Sequence, residues 1–441
     1  MSYFAAALTA LAAAESLMAI GYGFPQTGLR APDTLALVHL VTIGWLSLAM
    51  CGALFQFVPV LTSRPLYSDR LPLPALIFLL TGLAALLLGF LRLGGRISTE
   101  LPFLATGACL LGAGFGLTLL NLGLTLWKAR PLQLPARFVA VGLGGLAATA
   151  VLGIIFALVL DGTAVNDGWL TVSNSGLPIH VIAGFGGWLT LTAAGVSYRL
   201  LAMFMLAPDL DRAGGRAGLW LGTLALFVTV AGGVTAICVG SSLGTVLAAA
   251  TLLALGALTL YGRDILHLYR TRKRRTLELN TRMAGLAFVG LAGAAVLSIM
   301  LVMVGSFSDH VDAVVFLVAF GWLTSLVLAK LYKIVAFLTW LECYGPVLGK
   351  APTPRVQDLV TEHRASKWFR LHFGAVWFGT AALLANAPTG FRLAALLMMA
   401  ATCGIVIQIV RTRRLSNITA ALRPRAGAAM PPLLFSTRER S

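Results

Sequence analysis

Charge is what this chain has least of. Charged residues fill 11% of 441 positions and only 16 are acidic, against 58% hydrophobic residues and a mean hydropathy of +0.89. So little polar side chain cannot cover a water-soluble domain, and that class is excluded. Cysteine is also scarce. Cys51, Cys109, Cys238, Cys343 and Cys403 stand singly without CxxC spacing. They read as small core residues, not as a disulfide framework or a metal cage. Histidine, with six copies, is almost as rare.

Long apolar runs are what remain. Segments of about 20 apolar residues, the length a helix needs to cross the hydrocarbon, recur at 4–23, 34–60, 72–93, 102–127, 138–160, 177–206, 217–240, 243–262, 283–305, 310–341, 370–387 and 391–410. The expectation is an all-α polytopic membrane protein with twelve transmembrane helices. The first run lacks a basic leader and reads as helix one, not as a signal peptide.

The net charge of +17 would suggest nucleic acid in a soluble protein, but its distribution argues otherwise. Assigning loops to alternate sides puts Arg30, Arg92, Arg96 and Arg392 on one side and the other 29 of 33 basic residues opposite. The positive-inside rule then expects both termini in the cytoplasm of a bacterial-type inner membrane. The clusters at 270–275 and in the C-terminal tail set topology and meet anionic lipid. No nucleic-acid partner is expected.

One pattern occurs three times: Gly-Trp-Leu, then an aromatic and a polar or basic residue eleven and twelve positions after the Gly. It is found at Gly44-Trp45-Leu46 with Phe55-Gln56, at Gly187-Trp188-Leu189 with Tyr198-Arg199, and at Gly321-Trp322-Leu323 with Tyr332-Lys333. The copies fall on helices two, six and ten, giving three pseudo-repeats of four helices. The expected blocks are about 1–130, 131–270 and 271–411 within one transmembrane domain, 1–411, followed by a cytoplasmic tail, 412–441. The aromatic-basic pairs are expected to snorkel to the cytoplasmic interface. His363 falls in the polar connection 348–367. His267 and His372 are expected to titrate at the interface.

His39, His180 and His310 begin the three repeated helices. Intramembrane histidine is costly unless paired, coordinated or facing water, and neutral imidazole is a ligand for haem iron and copper. A plain interfacial histidine is the alternative at each position. The three lie five, seven and eleven residues before their Gly-Trp steps. At about 100° per residue, His180 and His310 share a face and His39 points about 160° away. A His180–His310 metal site therefore competes with a His39–His310 haem site, whose ligands are offset by roughly 9 Å along the axis. Asp309 and Asp312 flank His310 and either orient its ring or act as ordinary helix-entry carboxylates. Glu15, in mid-helix, either relays protons or bonds a neighbouring helix.

Twelve helices with this placement of histidines resemble the large subunit of haem-copper oxidases and nitric oxide reductases. His39-Leu-Val-Thr-Ile-Gly44 running to Phe57-Val-Pro59 and Arg64-Pro65-Leu66, with His180-Val-Ile-Ala-Gly184 running to Tyr198-Arg199, is similar to a divergent branch, the NnrS nitric-oxide-response membrane proteins. The resemblance implies His39 and His310 as axial ligands of one haem b, and His180 at a metal position, copper being the candidate. It departs from the oxidases where their copper site is completed. The segment 219–240 contains no histidine, and Gly184 stands where some oxidases have a cross-linked tyrosine. The resemblance thus implies a haem-binding inner-membrane protein for nitric oxide response or redox and metal handling, not a terminal oxidase. Its partners would be the lipid bilayer, a diatomic gas and an electron donor. A transporter for copper, haem or a small solute is the rival, a cofactor-free relic of the fold is the third reading, and whether the chain is an enzyme stays open.

Overall fold

The computed structural model describes residues 1–163, 166–208, 212–419 and 422–423. Among them there is no strand, and eleven helices are long and apolar enough to cross a membrane. They are α1 (Ser2–Ile20), α2 (Pro32–Thr62), α3 (Pro72–Leu93), α4 (Phe103–Lys128), α5 (Leu134–Asp161), α7 (Leu177–Met205), α8 (Ala213–Cys238), α9 (Leu243–Arg270), α10 (Leu279–Val304), α11 (Val311–Val347) and α13 (Pro388–Arg413). A short helix, α6 (Asp167–Ser175), precedes α7. The fold is thus an all-α polytopic membrane protein.

The eleventh expected segment, 370–387, falls largely within α12 (Glu362–Leu384). This helix is 23 residues long, but His363, Arg364, Lys367 and Arg370 occupy its first turns, and it is not among the eleven apolar ones. Only a 3₁₀ turn, Val356–Leu359, breaks the connection before it. Proline in the first turn starts α2, α3 and α13, where its missing N–H costs nothing. A left-handed glycine ends α5 at Gly162, where a side chain would be strained.

By internal contacts the chain forms two compact units. One comprises Met1–Leu29 with Leu277–Ser441, the other Arg30–Thr276. The chain passes between them after Leu29 and again in the basic loop 270–282, whereas the loop at 131–137 lies inside the second unit. The tail from 412 onward lies largely outside the described residues.

Each Gly-Trp-Leu step sits in a stretch of π-helix. The stretches are Leu40–Ser47 in α2, Ala183–Leu191 in α7 and Leu317–Thr324 in α11. Trp45, Trp188 and Trp322 are fully buried there. In the second unit, a Cβ on Gly145 of α5 would lie 2.6 Å from the carbonyl carbon of Gly187. In the first unit, a Cβ on Gly290 of α10 would lie 2.6 Å from that of Gly321. Glycine lets the opening helix of each of these repeats press its backbone against the wide turn of the next long helix.

Burial corrects several expectations. Tyr198 does not snorkel: it is buried and its hydroxyl donates to Asp264 Oδ2 at 3.0 Å. Tyr332 is buried as well, and Lys333 is paired with Glu278 at 2.6 Å. Asp264 and Glu278, distant in sequence, hold Tyr198 and Lys333 inside. His372 is fully buried, ten residues into α12, with Nε2 3.1 Å from Ser325 Oγ. Its helix begins eight residues earlier than the apolar run, which carries position 372 about 15 Å beyond the helix start. Of the cysteines only Cys51 is buried, and Cys109, Cys238 and Cys403 lie on the exposed apolar flanks of their helices.

Candidate functional site

The second unit brings two of the three candidate histidines together. The ring centres of His39 on α2 and His180 on α7 are 6.5 Å apart, with their planes tilted by 32°. The two helices run in parallel and meet again lower down, where Trp188 Nε1 donates to Ser47 Oγ at 3.0 Å. Ser47 lies eight residues after His39, and Trp188 eight after His180. The contact therefore sets a register of 141 positions, two fewer than the spacing of the Gly-Trp steps, and this slip brings the histidines level.

The segments linking His39 to Gly44 and His180 to Gly187 both run through π-helix, which turns less per residue than the α-helix used in counting angles.

Each imidazole is oriented by its surroundings. His39 Nδ1 lies 2.8 Å from the Leu35 carbonyl oxygen. A carbonyl only accepts, so in the neutral ring Nδ1 carries the proton and Nε2 keeps its lone pair. A backbone carbonyl in this position is the usual second partner of a metal-ligating histidine. Phe90 of α3 packs beside His39 at 5.1 Å, and Phe156 of α5 beside His180 at 5.5 Å. Gly153 of α5 makes room for His180, since a Cβ there would lie 3.2 Å from Cε1. His180 Nδ1 is buried without a hydrogen-bond partner among the described residues.

Two imidazoles on opposite sides of one ion, each with a bond of about 2 Å, put their ring centres roughly 6 Å apart. The observed spacing suits such an ion, whether haem iron or copper. Among the described residues no group of three His, Cys, Asp or Glu side chains is placed to hold a metal, so any further ligand would come from water, a porphyrin or substrate.

His310 belongs to the other unit and is the residue just before α11, the first helical residue being Val311. Its Nδ1 and Asp312 Oδ1 are buried without hydrogen-bond partners among the described residues. Asp309 and Asp312 line a cleft of about 440 Å³ with Gln26, Thr27 and Asn386. Glu15, also in this unit, is fully buried and accepts from Thr402 at 3.0 Å, so its helix-bonding role is present.

Two ion pairs lie at the histidine end of the second unit. Arg96 meets Asp33 at 2.7 Å, and Arg92 meets Asp161 at 3.4 Å. Spacing within one helix gave no sign of either, because each joins residues more than sixty positions apart.

The sequence matches no protein-family model, and no curated protein matches it. What fold and site define together is a class: a multi-pass helical membrane protein with two imidazoles packed 6.5 Å apart between its helices.

Proposed function

We propose that this chain is a metal-binding protein of redox or metal-handling type in which His39 and His180 share one ion, the iron of a haem b or copper. The observation that carries the reading is the 6.5 Å approach of two differently anchored imidazoles. Ligand type and spacing both fit bis-imidazole iron. Bound haem would supply one-electron transfer. His39 and His180 would then hold the iron, and Phe90 and Phe156 would keep water from it. The NnrS-like resemblance extends this to nitric oxide response. The charge asymmetry supports a site at the outer end of an inner-membrane protein with both termini cytoplasmic.

The transporter reading is favoured by one feature, the lack of a third ligand among the described residues, which suits an ion that must leave again. Optical spectra and metal analysis of protein from haem- and copper-replete cells test both readings. Reduced haem bands, or one bound copper, should vanish in His39→Ala and His180→Ala and persist in His310→Ala. Loss in His310→Ala with retention in His180→Ala would overturn the pairing and restore His39 with His310 as the axial pair. Wild-type protein free of both haem and copper would overturn the reading itself.

A further inference from the structure

Asp161 is placed where a carboxylate has little reason to be. It is the last residue of α5, at the end where the helix dipole disfavours negative charge. Its side chain is only 1% exposed. One oxygen meets Arg92 at 3.4 Å, longer than the roughly 2.7–2.9 Å of a strong charged hydrogen bond, and Oδ2 is buried with no hydrogen-bond partner among the described residues. A buried carboxylate so poorly matched costs more than this contact returns. Arg92 is held by its other nitrogen, with Nε donating to the Thr99 carbonyl at 2.8 Å, while its side chain is 34% exposed. Its head can therefore leave Asp161 for water without disturbing a helix. The neighbouring Arg96–Asp33 pair, at 2.7 Å, is the tighter of the two.

The position of this loose pair supplies its meaning. Arg92 follows by two residues the Phe90 that packs on His39, and Asp161 follows by five the Phe156 that packs on His180. Asp161 is eight residues beyond Gly153, which touches the His180 ring, or about 12 Å along the axis. The pair thus bridges α3 and α5 on the outward side of the two histidines. Carboxylate oxygen followed by imidazole nitrogen suits divalent zinc, iron or copper, not cuprous ion, which prefers sulfur.

We propose that Arg92–Asp161 is a latch over the paired histidines and that Asp161 is the first ligand met by a divalent transition-metal ion entering from outside. The inference rests on the metal reading of the His39–His180 site. The test uses the full-length protein in lipid nanodiscs and free Cu²⁺ as probe. Equilibrium binding is read from nitrogen hyperfine structure in the copper electron-paramagnetic-resonance spectrum, and entry from stopped-flow quenching of tryptophan fluorescence. Asp161→Asn should load about tenfold more slowly with its equilibrium spectrum unchanged, and Arg92→Gln should load faster than wild type. Wild-type loading rates in both variants, with the spectrum intact, would overturn the latch and leave the histidine site standing. No nitrogen-coupled copper in wild-type protein would overturn the two together.

Discussion

Removing one hydroxyl from α2 should loosen its grip on α7. In Ser47→Ala the buried indole N–H of Trp188 loses its 3.0 Å acceptor. A buried donor left unsatisfied costs about 1–3 kcal/mol. Interhelical hydrogen bonds inside membranes average about 0.6 kcal/mol and reach about 1.7 kcal/mol, because the unfolded chain in lipid also finds partners. With Trp188 at 2% exposure, the coupling belongs in the upper half of that range, about 1–1.5 kcal/mol. Trp188→Phe removes the donor and leaves a small cavity. The double variant should therefore be less destabilised than the sum of the two single ones by that coupling. Unfolding in mixed micelles titrated with dodecyl sulfate, followed by far-ultraviolet circular dichroism, measures all four corners. Additivity within about 0.3 kcal/mol would refute the reasoning, since that is the scatter of independent sites.

Gly145→Ala and Gly290→Ala should each force two backbones apart and destabilise by about 1–3 kcal/mol, whereas Gly116→Ala, with nothing within 4 Å, should be neutral in the same titration. Lys333→Met alone should cost about 1.5–3 kcal/mol by removing the charged partner that Glu278 meets at 2.6 Å, and pairing it with Glu278→Leu should recover part of that loss. The Arg355 side chain, by hydrogen bonding, holds the Asp358 carboxyl below its ordinary value. A depressed carboxylate stabilises above its unfolded value of about 3.9, and that contribution disappears as pH falls through the lower folded value. Hydrogen exchange in the turn Val356–Leu359 should accordingly quicken only in acid, and only slightly, because the pair is exposed.

Hydropathy made the membrane helices legible, because span length is fixed by the bilayer and needs no partner. At 370–387 basic side chains in the first turns of α12 dilute an otherwise apolar helix. The repeat was equally plain in Gly-Trp-Leu, but its local geometry was not. Nothing in those three residue types announces a π-helical turn, so angles counted at α-helical pitch do not carry through it. Tyr198, Lys333 and His372 were misplaced for a different reason. What buries them are Asp264, Glu278 and Ser325, each 47 to 66 positions away, and a single sequence does not reveal such pairings.

A wide turn holds more residues than an ordinary one, so the three repeated helices are sensitive to chain length in a way that composition does not reveal. Deleting one residue between 40 and 47 would let that stretch of α2 relax to common pitch, and the wide turn that holds Gly44 and Trp45 would be lost. Many substitutions there could be absorbed, but a change in residue count could not. Evolution within this architecture would then be expected to tolerate new side chains in these stretches while conserving their number.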